Sequence, residues 1–431
     1  MRLVSRRVAT IQGSLRAPSH KSLTHRAYMF AALASGPCRV SNPLRGEDCE
    51  STLRCMNQLG LRHDWIGDTQ IVLEPIARWK EPDGPLDCGN SGTTMRLLSG
   101  LVASRPMTAT MIGDASLSKR PMRRVAEPLR RMGAEVEGDY PPLFIKGSNS
   151  LKGIVHKSPV ASGQIKSCVL LAGLRASGET VVQEPSLSRD HTERMLQAMG
   201  APVSTKIDLG TGAAEVTISA AENLKPFELT VPADISSAAF FMVAAALLPE
   251  ARLTLEELSL NPSRTGILDV FERCGIEVHH GNVRDELGEP VADLEMRAPK
   301  FLKPFDIDGG LVTRLIDEIP VLAVLATQCE GETRIRNARE LRVKESDRIE
   351  LMADGLRRMG AQVETQEDGM TIVGPTPLTG THVKAEGDHR IAMSFAIAGL
   401  IADGETVIDG AETIATSFPG FEEELERLSI V

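Results

Sequence analysis

Apolar and polar positions form a long, repeated pattern along the chain. A cluster of polar or charged residues leads into a helix-length segment of small, apolar residues, which stops near a glycine and is followed by a β-branched segment. This order predicts helices that alternate with strands. Six such helices are predicted, and the clusters that start them are Ser19-His20-Lys21-Ser22, Asn90-Ser91-Gly92-Thr93, Ser162-Gly163-Gln164, Asp234-Ile235-Ser236-Ser237, Asp317-Glu318 and Asp388-His389-Arg390.

A second signal recurs with the same spacing. Other helical segments end in a Leu, Met or Cys followed by glycine, which is the usual signal for a helix C-terminus. These ends are Leu59-Gly60, Met132-Gly133, Met199-Gly200, Cys274-Gly275 and Met359-Gly360, with a weaker sixth at Leu428-Ser429. Consecutive ends are about 67 to 85 residues apart, longer than the repeat of a small solenoid. We therefore predict six folding units, each with two helices and several strands, in two domains of three.

Composition narrows the functional classes. The chain has 431 residues, 42% of them hydrophobic, and a formal net charge of −10, which argues against nucleic acid or an anionic membrane as a partner. No leader or membrane-spanning segment is recognised, so a cytoplasmic protein is expected. The seven cysteines lack C-x-x-C pairs and are predicted to be buried thiols. Because histidines and cysteines do not cluster, no metal site is expected.

The helix start within residues 87–100 has the features of an anion site. Gly89 and Gly92 allow a ligand to approach the backbone closely, and the first N–H groups of a helix point outward at the positive end of its dipole. Arg96 adds a full charge one turn later. A single start of this kind is more often an ordinary helix cap. Its repetition along the chain favours anion binding.

Basic residues are concentrated between Lys119 and Arg131 in a protein of net charge −10. Pairing with Glu127 and Glu135 accounts for one or two of them. The others indicate an anionic ligand. Lys21, Ser22 and Arg26 are predicted to face the mouth of the first helix, with solvated charges as the alternative.

Carboxylates occur at unusual places in the second half of the chain. Asp317 and Glu318 interrupt an apolar segment, where a carboxylate is either a helix cap or a proton-transfer group tuned by partial burial. The mixed charges of residues 340–348 are typical of exposed salt bridges. Asp48 is predicted to cap a helix over residues 51–59, and residues 285–289 are predicted to form a solvated loop.

The chain resembles the 5-enolpyruvylshikimate-3-phosphate synthase family over essentially its whole length. The motifs that carry the resemblance lie in the family order, and together they are far more specific than any one alone. They are Lys21-Ser22-x-x-x-Arg26, Gly89-Asn90-Ser91-Gly92-Thr93, Lys119-Arg120-Pro121-Met122, Ser162-Gly163-Gln164, Asp190-His191-Thr192, Asn261-Pro262-Ser263-Arg264, Asp317-Glu318, Arg342-Val343-Lys344-Glu345-Ser346-Asp347-Arg348 and Asp388-His389-Arg390.

The resemblance implies an α/β fold, a two-domain inside-out α/β barrel in which each domain holds three βαβαββ repeats beside a central cleft. The implied N-terminal lobe covers residues 15–228. The C-terminal lobe covers residues 1–14 and 229–431, because the chain crosses between the lobes twice. A monomer is expected, with the active site in the cleft.

The resemblance also implies the reaction, in which the enolpyruvyl group of phosphoenolpyruvate moves to the 5-hydroxyl of shikimate 3-phosphate and phosphate is released. No cofactor and no metal are expected. Asp317 is then the base toward the hydroxyl, Glu345 the proton donor to the methylene carbon, and Lys21 the cation that contacts both substrates. The implied phosphoenolpyruvate ligands are Lys21, Gly92, Arg120, Gln164, Arg348 and Arg390. The implied shikimate 3-phosphate ligands are Lys21, Ser22, Arg26, Ser162, Gln164, Arg189, Asp317 and Lys344, and further candidates are Asn90, Thr93, Asp48 and Gly163.

Two alternatives are kept open. A sister family with the same fold transfers enolpyruvate to UDP-N-acetylglucosamine, but its members typically carry a cysteine on the loop before the Arg-Pro pair, and residues 114–119 contain none. A non-catalytic anion-binding protein on the same scaffold is the other alternative. Such a protein has no reason to keep Lys21, Asp317 and Glu345 together.

Overall fold

A computed structural model describes residues 1–430. They form two compact units, which we call the N-terminal unit and the C-terminal unit. The N-terminal unit comprises Ser19–Val231 and the short segment Asp285–Glu289. The C-terminal unit comprises Met1–Pro18, Pro232–Arg284 and the chain from Pro290 onward. The chain is thus a mixed α/β protein whose first residues belong to the same unit as its last.

The strands are short and distributed along the whole chain. In chain order they are β1 (Arg2–Arg6), β2 (Thr10–Leu15), β3 (Cys38–Ser41), β4 (Arg62–Ile66), β5 (Gln70–Glu74), β6 (Leu86–Asp87), β7 (Thr108–Ile112), β8 (Glu135–Glu137), β9 (Leu143–Lys146), β10 (Val155–Lys157), β11 (Thr180–Glu184), β12 (Val203–Ile207), β13 (Ala214–Ile218), β14 (Glu228–Thr230), β15 (Arg252–Ser259), β16 (Val278–Glu286), β17 (Glu289–Arg297), β18 (Asp306–Ile307), β19 (Gly331–Ile335), β20 (Gln362–Gln366), β21 (Gly369–Gly374), β22 (His382–Lys384), β23 (Glu405–Asp409) and β24 (Ser429–Ile430).

The helices lie between these strands. They are α1 (Lys21–Ala31), α2 (Glu47–Gln58), α3 (Gly92–Ala103), α4 (Arg123–Met132), α5 (Gly163–Gly173), α6 (His191–Ala198), α7 (Ile235–Leu247), α8 (Gly266–Cys274), α9 (Gly309–Leu315), α10 (Ile319–Ala326), α11 (Arg348–Arg358), α12 (His389–Gly399) and α13 (Phe421–Leu428). Short 3-10 helices occur at Leu117–Lys119, Arg339–Val343 and Ala411–Thr416. Within the described residues, every helix is too short or too polar to cross a membrane.

The N-terminal unit contains three four-stranded sheets with one shared topology. Their strand orders are β14-β3-β5-β4, β6-β7-β9-β8 and β10-β11-β13-β12. In each sheet the first two strands are parallel and the remaining pairs are antiparallel. Parallel neighbours need a crossover connection, and α3 and α5 provide it in two of the sheets. The sequence repeat is therefore a repeat of sheet topology.

The C-terminal unit has three sheets built on the same plan. The sheet β18-β19-β21-β20 repeats the four-stranded topology. The five-stranded sheet β16-β17-β15-β2-β24 adds β24 at its edge, and the sheet β1-β23-β22 has three strands. Both of these sheets use an N-terminal strand, because β2 is parallel to β15 and β1 is antiparallel to β23.

Two sets of helices differ in burial. Helices α1, α3, α5, α7, α10 and α12 are the six predicted from the polar starts, and they are buried on nearly all faces. We call them the inner helices. Helices α2, α4, α6, α8 and α11 end at the predicted glycine turns, and each buries one face. Their terminal glycines all have positive φ, between +82° at Gly275 and +112° at Gly60, as this helix end requires.

The predicted buried thiols are confirmed, because all seven cysteines are buried and free. Two local predictions are wrong. Helix α2 begins at Glu47 after Gly46, so Asp48 lies inside the first turn and is not the cap. Residues 285–289 are not a solvated loop, since Glu289 is fully buried and its carboxylate lies 2.7 Å from Nδ1 of His191.

The contact between two inner helices predicts a mutational effect. A Cβ atom at Gly100 of α3 would lie 2.2 Å from the backbone oxygen of Cys168 in α5, so Gly100→Ala should force the helices apart. We expect a loss of about 1–3 kcal/mol in the free energy of unfolding, measured by urea denaturation. Gly84→Ala is the control, because nothing lies within 4 Å of its added Cβ. Equal stability of the two variants would contradict this account of the packing.

Candidate functional site

Polar side chains of the predicted clusters cap five of the six inner helices, and α10 is the exception because Glu318 makes no side-chain cap bond. Ser91 Oγ accepts the N–H of Thr94, and Ser162 Oγ accepts the N–H of Ile165. The side chains of His20, Asp234 and Asp388 cap α1, α7 and α12 in the same way. Each of these starts therefore has a fixed geometry, with its remaining N–H groups at the positive end of a buried helix.

Arg26 ties the first and third inner helices of the N-terminal unit together. Its guanidinium donates to Thr192 Oγ1 at 2.8 Å, to Ser167 Oγ at 2.9 Å and to the backbone oxygen of Ser22 at 2.9 Å. Arg26 is nearly buried, and its bonds to these hydroxyls fix its position. Thr192 and Ser167 are not among the predicted site residues. The motif Asp190-His191-Thr192 was the available signal for Thr192, whereas Ser167 lies outside the motifs.

Two further arginines converge on the start of α3. A Cβ atom at Gly92 would lie 2.7 Å from Nη1 of Arg96 and 3.1 Å from Nη1 of Arg120. Arg96 Nη1 also donates to Gln164 Oε1 at 2.7 Å, and Gln164 Nε2 donates to Thr93 Oγ1 at 2.9 Å. The predicted residues Gly92, Thr93, Arg120 and Gln164 are thus neighbours. Only glycine at position 92 leaves both guanidinium groups against the helix start.

Lys21 lies at the start of α1 and forms a 2.5 Å ion pair with Asp48 Oδ2. Its side chain is 23% exposed, so the ammonium still reaches solvent. The backbone oxygen of Asp48 accepts a hydrogen bond from Thr94 Oγ1 at 3.3 Å. Asp48 therefore connects the starts of α1 and α3, and this is the structural role that replaces its predicted role as a cap.

The remaining predicted residues of this unit lie along the same starts. Gly163 packs on Arg189, since a Cβ atom at Gly163 would be 3.1 Å from the Cβ of Arg189. Asn90 instead donates to Asp114 Oδ2 at 2.8 Å, on the loop that leads to Arg120.

We call the residues at these helix starts the N-terminal cluster. Its members are Lys21, Ser22, Arg26, Asp48, Gly92, Thr93, Arg96, Arg120, Ser162, Gly163, Gln164 and Arg189.

A second group of predicted residues meets in the C-terminal unit around Asp317. Its Oδ1 accepts from Arg348 Nη1 at 3.1 Å and from Lys344 Nζ at 3.4 Å. Arg390 Nη1 donates to the backbone oxygen of Asp317 at 3.2 Å. Asp317 is nearly buried just before α10. One carboxylate thus has three basic side chains around it.

Arg348 is the central cation of this group. It is 1% exposed and donates to Glu345 Oε2 at 2.7 Å and to Asp388 Oδ2 at 2.8 Å, besides Asp317. Burial alone would lower the pKa of Arg348, but Asp388, Glu345 and Asp317 together raise it above its usual range. We call Asp317, Lys344, Glu345, Arg348, Asp388 and Arg390 the C-terminal cluster.

Residues 340–348 were predicted to be exposed salt bridges, and this holds for only part of the segment. Arg342 pairs with Asp347 at 2.8 Å and with Glu350 at 3.2 Å, in a partly exposed network. Arg348, six residues on, is buried. The charges alone do not reveal this difference, because burial depends on α11 packing its first turn against α12.

A third group of buried polar residues lies beside the C-terminal cluster, and no role was assigned to it from the sequence. Arg264 Nη2 donates to Asp234 Oδ1 at 3.1 Å and also to Ser236, whose hydroxyl donates to Glu318. All four side chains are buried, and burial raises the pKa of Glu318. The motif that contains Arg264 was the available sequence signal.

Both clusters have the composition of anion sites. Each combines several basic side chains with the N-terminal ends of buried helices, which together attract phosphate and carboxylate groups. The C-terminal cluster adds two carboxylates, the nearly buried Asp317 and the half-buried Glu345, and carboxylates are common proton-transfer groups.

Comparisons with known proteins agree with this chemistry. The family model described as EPSP synthase (3-phosphoshikimate 1-carboxyvinyltransferase) matches residues 5–425. The 3-phosphoshikimate 1-carboxyvinyltransferase of Bacillus cytotoxicus is 46% identical over 428 residues, covering 98% of this chain and 99% of the relative. The protein of that name from Brevibacillus brevis is 47% identical over 426 residues, covering 97% and 98%.

Solved structures give the same result. EPSP synthase from Acinetobacter baumannii superposes with a TM-score of 0.88 at 42% identity, covering 100% of this chain and 98% of that one. The enolpyruvyl transferase NikO from Streptomyces tendae has a TM-score of 0.78 at 20% identity, covering 99% and 97%. The likeness to NikO shows only that the fold is shared.

The pairing of Asp388 with Arg348 predicts a pH-dependent stability. Burial alone would raise the pKa of Asp388, but Arg348 holds it below its usual range. The ionised carboxylate therefore stabilises the fold above the unfolded pKa of about 3.9, and this is lost as the pH falls through the folded value. Asp388→Asn should lose about 3 kcal/mol of unfolding free energy at pH 7, measured by urea denaturation.

The difference between Asp388→Asn and the unchanged protein should shrink as the pH is lowered below about 4. Asp347→Asn is the matched control, because Asp347 caps α11 but is more exposed and asparagine caps helices equally well. It should cost less than about 1 kcal/mol. A difference between Asp388→Asn and the unchanged protein that is constant from pH 7 to pH 3 would refute the assignment.

Proposed function

The chain belongs to the EPSP synthase family, and on that premise we propose that the residues of its N-terminal and C-terminal clusters carry the 3-phosphoshikimate 1-carboxyvinyltransferase reaction. The reaction transfers the enolpyruvyl group of phosphoenolpyruvate to the 5-hydroxyl of shikimate 3-phosphate and releases phosphate. It belongs to the biosynthesis of aromatic amino acids. The observation that carries the proposal is the position of Asp317, a nearly buried carboxylate contacted by Lys344, Arg348 and Arg390.

The substrates explain why so many cations are needed. Two phosphates and two carboxylates must occupy one site, and their mutual repulsion has to be offset by fixed positive groups. Lys21 contacts both substrates in this proposal. Gly92, Arg120, Gln164, Arg348 and Arg390 bind phosphoenolpyruvate, and Ser22, Arg26, Ser162, Gln164, Arg189, Asp317 and Lys344 bind shikimate 3-phosphate.

The proton transfers follow from the chemistry of the bond that forms. The 5-hydroxyl loses its proton as its oxygen attacks C2 of phosphoenolpyruvate, while the methylene carbon gains one. Elimination of phosphate then removes a proton from the new methyl group. In this proposal Asp317 accepts the hydroxyl proton and passes it to the phosphate as that group leaves. Glu345 donates a proton to the methylene carbon and takes one back during elimination.

The finer architecture is part of the same proposal. Each unit is an inside-out α/β barrel domain of three βαβαββ repeats, with boundaries near residues 15 and 228, and the protein is a monomer. The shared sheet topology within each unit and the buried inner helices support the repeats. By family resemblance the reaction needs neither a metal nor an organic cofactor.

Asp317→Asn tests the catalytic assignment. Phosphate release from phosphoenolpyruvate should require shikimate 3-phosphate, with no release when UDP-N-acetylglucosamine replaces it. In Asp317→Asn the kcat should fall by about 10²–10⁴ because the proton acceptor is lost, while the Kd for shikimate 3-phosphate changes only a few-fold.

Asp308→Asn is the control for this measurement, since Asp308 is an exposed carboxylate that pairs with Arg336 in the same unit. Its kcat should match that of the unchanged protein. Retained turnover in Asp317→Asn would show that another group is the base, and turnover with UDP-N-acetylglucosamine alone would replace the proposed acceptor.

Arg120→Ala separates the two substrates. Because Arg120 lies at the start of α3 beside Gly92, its loss should raise the KM for phosphoenolpyruvate by about 10-fold to 100-fold. The Kd for shikimate 3-phosphate should change less than about threefold by calorimetry. Arg123→Ala, whose side chain is 70% exposed, controls for the loss of a nearby positive charge. Equal weakening of both substrates would contradict the assigned role.

A further inference from the structure

A buried charged group lies behind the third inner helix of the N-terminal unit. Lys166 of α5 is completely buried, with its ammonium 2.9 Å from Glu184 Oε2 at the end of β11 and 2.8 Å from Glu193 Oε1 in α6. Both carboxylates are also almost fully enclosed. None of the three residues belongs to the proposed catalytic or substrate-binding residues.

The Lys166 ammonium contacts two carboxylates as an ion pair and one backbone carbonyl through a hydrogen bond. Its Nζ lies 2.9 Å from Glu184 Oε2 and 2.8 Å from Glu193 Oε1, and it donates to the backbone oxygen of Ser188 at 3.1 Å. Burial alone would lower the pKa of Lys166, but Glu193 and Glu184 outweigh it and raise the pKa above its usual value. Lys166 is therefore a buried, charged side chain that holds the carbonyl of the peptide group leading into Arg189.

Glu184 fixes two backbone segments at once. Its Oε1 accepts the N–H of Ser162 at 3.0 Å, and its Oε2 accepts the N–H of Ser188 at 3.3 Å. The hydroxyl of Ser188 also donates to Glu184 at 2.6 Å. Ser188 is thus held by its N–H and hydroxyl at Glu184 and by its carbonyl at Lys166. The same carboxylate positions the residue that starts α5 and the residue before Arg189.

These two segments are in direct contact. A Cβ atom at Gly163 would lie 3.1 Å from the Cβ of Arg189 and 3.2 Å from its backbone oxygen. A shift of either segment would therefore move the other. The separation between the backbones of Ser162 and Arg189 therefore depends on Lys166 and Glu184, which bond the segments on either side.

We propose that Lys166 and Glu184 are positioning residues that hold Ser162 and Arg189 at the spacing needed to bind shikimate 3-phosphate. This inference rests on the proposed assignment of Ser162 and Arg189 to that substrate. Buried ion pairs add little net stability compared with apolar side chains of the same size. The hydrogen bonds that such charged side chains make are directional, however, and restrict the positions of the bonded groups more than apolar contacts do.

Glu184→Gln and Glu193→Gln form a matched pair for the test. Both substitutions remove one buried negative charge next to Lys166. Only Glu184 bonds the segments of Ser162 and Ser188, and an amide has one acceptor oxygen where the carboxylate has two. Calorimetric titration with shikimate 3-phosphate and a KM measurement for phosphoenolpyruvate are the readouts, with thermal unfolding recorded for each variant.

Glu184→Gln should raise the Kd for shikimate 3-phosphate about tenfold, as expected for the loss of one charge-assisted hydrogen bond. Its KM for phosphoenolpyruvate should stay within about twofold. Glu193→Gln should leave both constants within about twofold even where its melting temperature falls. If Glu184→Gln does not fold, Ser188→Ala tests the inference in its place, because this variant loses the hydroxyl that bonds to Glu184 and retains every charge. It should raise the same Kd about threefold.

The inference would be overturned if folded Glu184→Gln, or Ser188→Ala in its place, had an unchanged Kd for shikimate 3-phosphate. It would also be overturned if Glu184→Gln and Glu193→Gln weakened the binding of shikimate 3-phosphate equally, since that would be a general effect of lost charge. Arg189→Ala separates a failure of this inference from a failure of the proposed assignment of Arg189 to shikimate 3-phosphate. If Arg189→Ala does not weaken shikimate 3-phosphate, the proposed ligand assignment fails and the inference fails with it.

Discussion

The structure depends on fixing basic side chains in place with polar and acidic partners before any anion arrives. Arg348 is the clearest case, because a guanidinium that is 1% exposed is tolerated only with carboxylates around it. Asp388, Glu345 and Asp317 supply them. Asp388 also caps α12, so one carboxylate fixes both a helix start and the central cation. Catalysis by preorganised charge needs this arrangement, since a site that must gather its cations during the reaction loses the advantage.

The basic side chains of the two clusters are held by different kinds of partner. In the N-terminal cluster, Arg26 bonds to hydroxyls and Arg96 to the amide of Gln164. In the C-terminal cluster, Arg348 is shared among three carboxylates. Both arrangements hold cations at helix starts, where they attract anions. The second also places carboxylates among the cations, as the proposed proton transfers require.

Glycine has a specific role where helices and cations approach one another. Gly92 leaves room for two guanidinium groups at the start of α3, and Gly100 lets the same helix pack against the backbone of α5. The inner helices carry small residues for the same reason. Their close packing brings the helix starts within reach of side chains from neighbouring helices, as the bonds of Arg26 and Gln164 demonstrate.

The six inner helices, the glycine ends of five outer helices and the buried thiols were predictable from the sequence, because each depends on local periodicity or on backbone conformations that few residues adopt. The family motifs also indicated most residues of both clusters. Which charges are buried became clear only from the tertiary contacts. Arg342 and Arg348 both lie among the mixed charges of residues 340–348, yet only Arg348 is buried. Lys166, Glu184 and Glu289 are buried through contacts with residues distant in the chain. Contacts between residues far apart in the chain decide whether a charged side chain is buried, and such contacts leave no periodic pattern in the sequence.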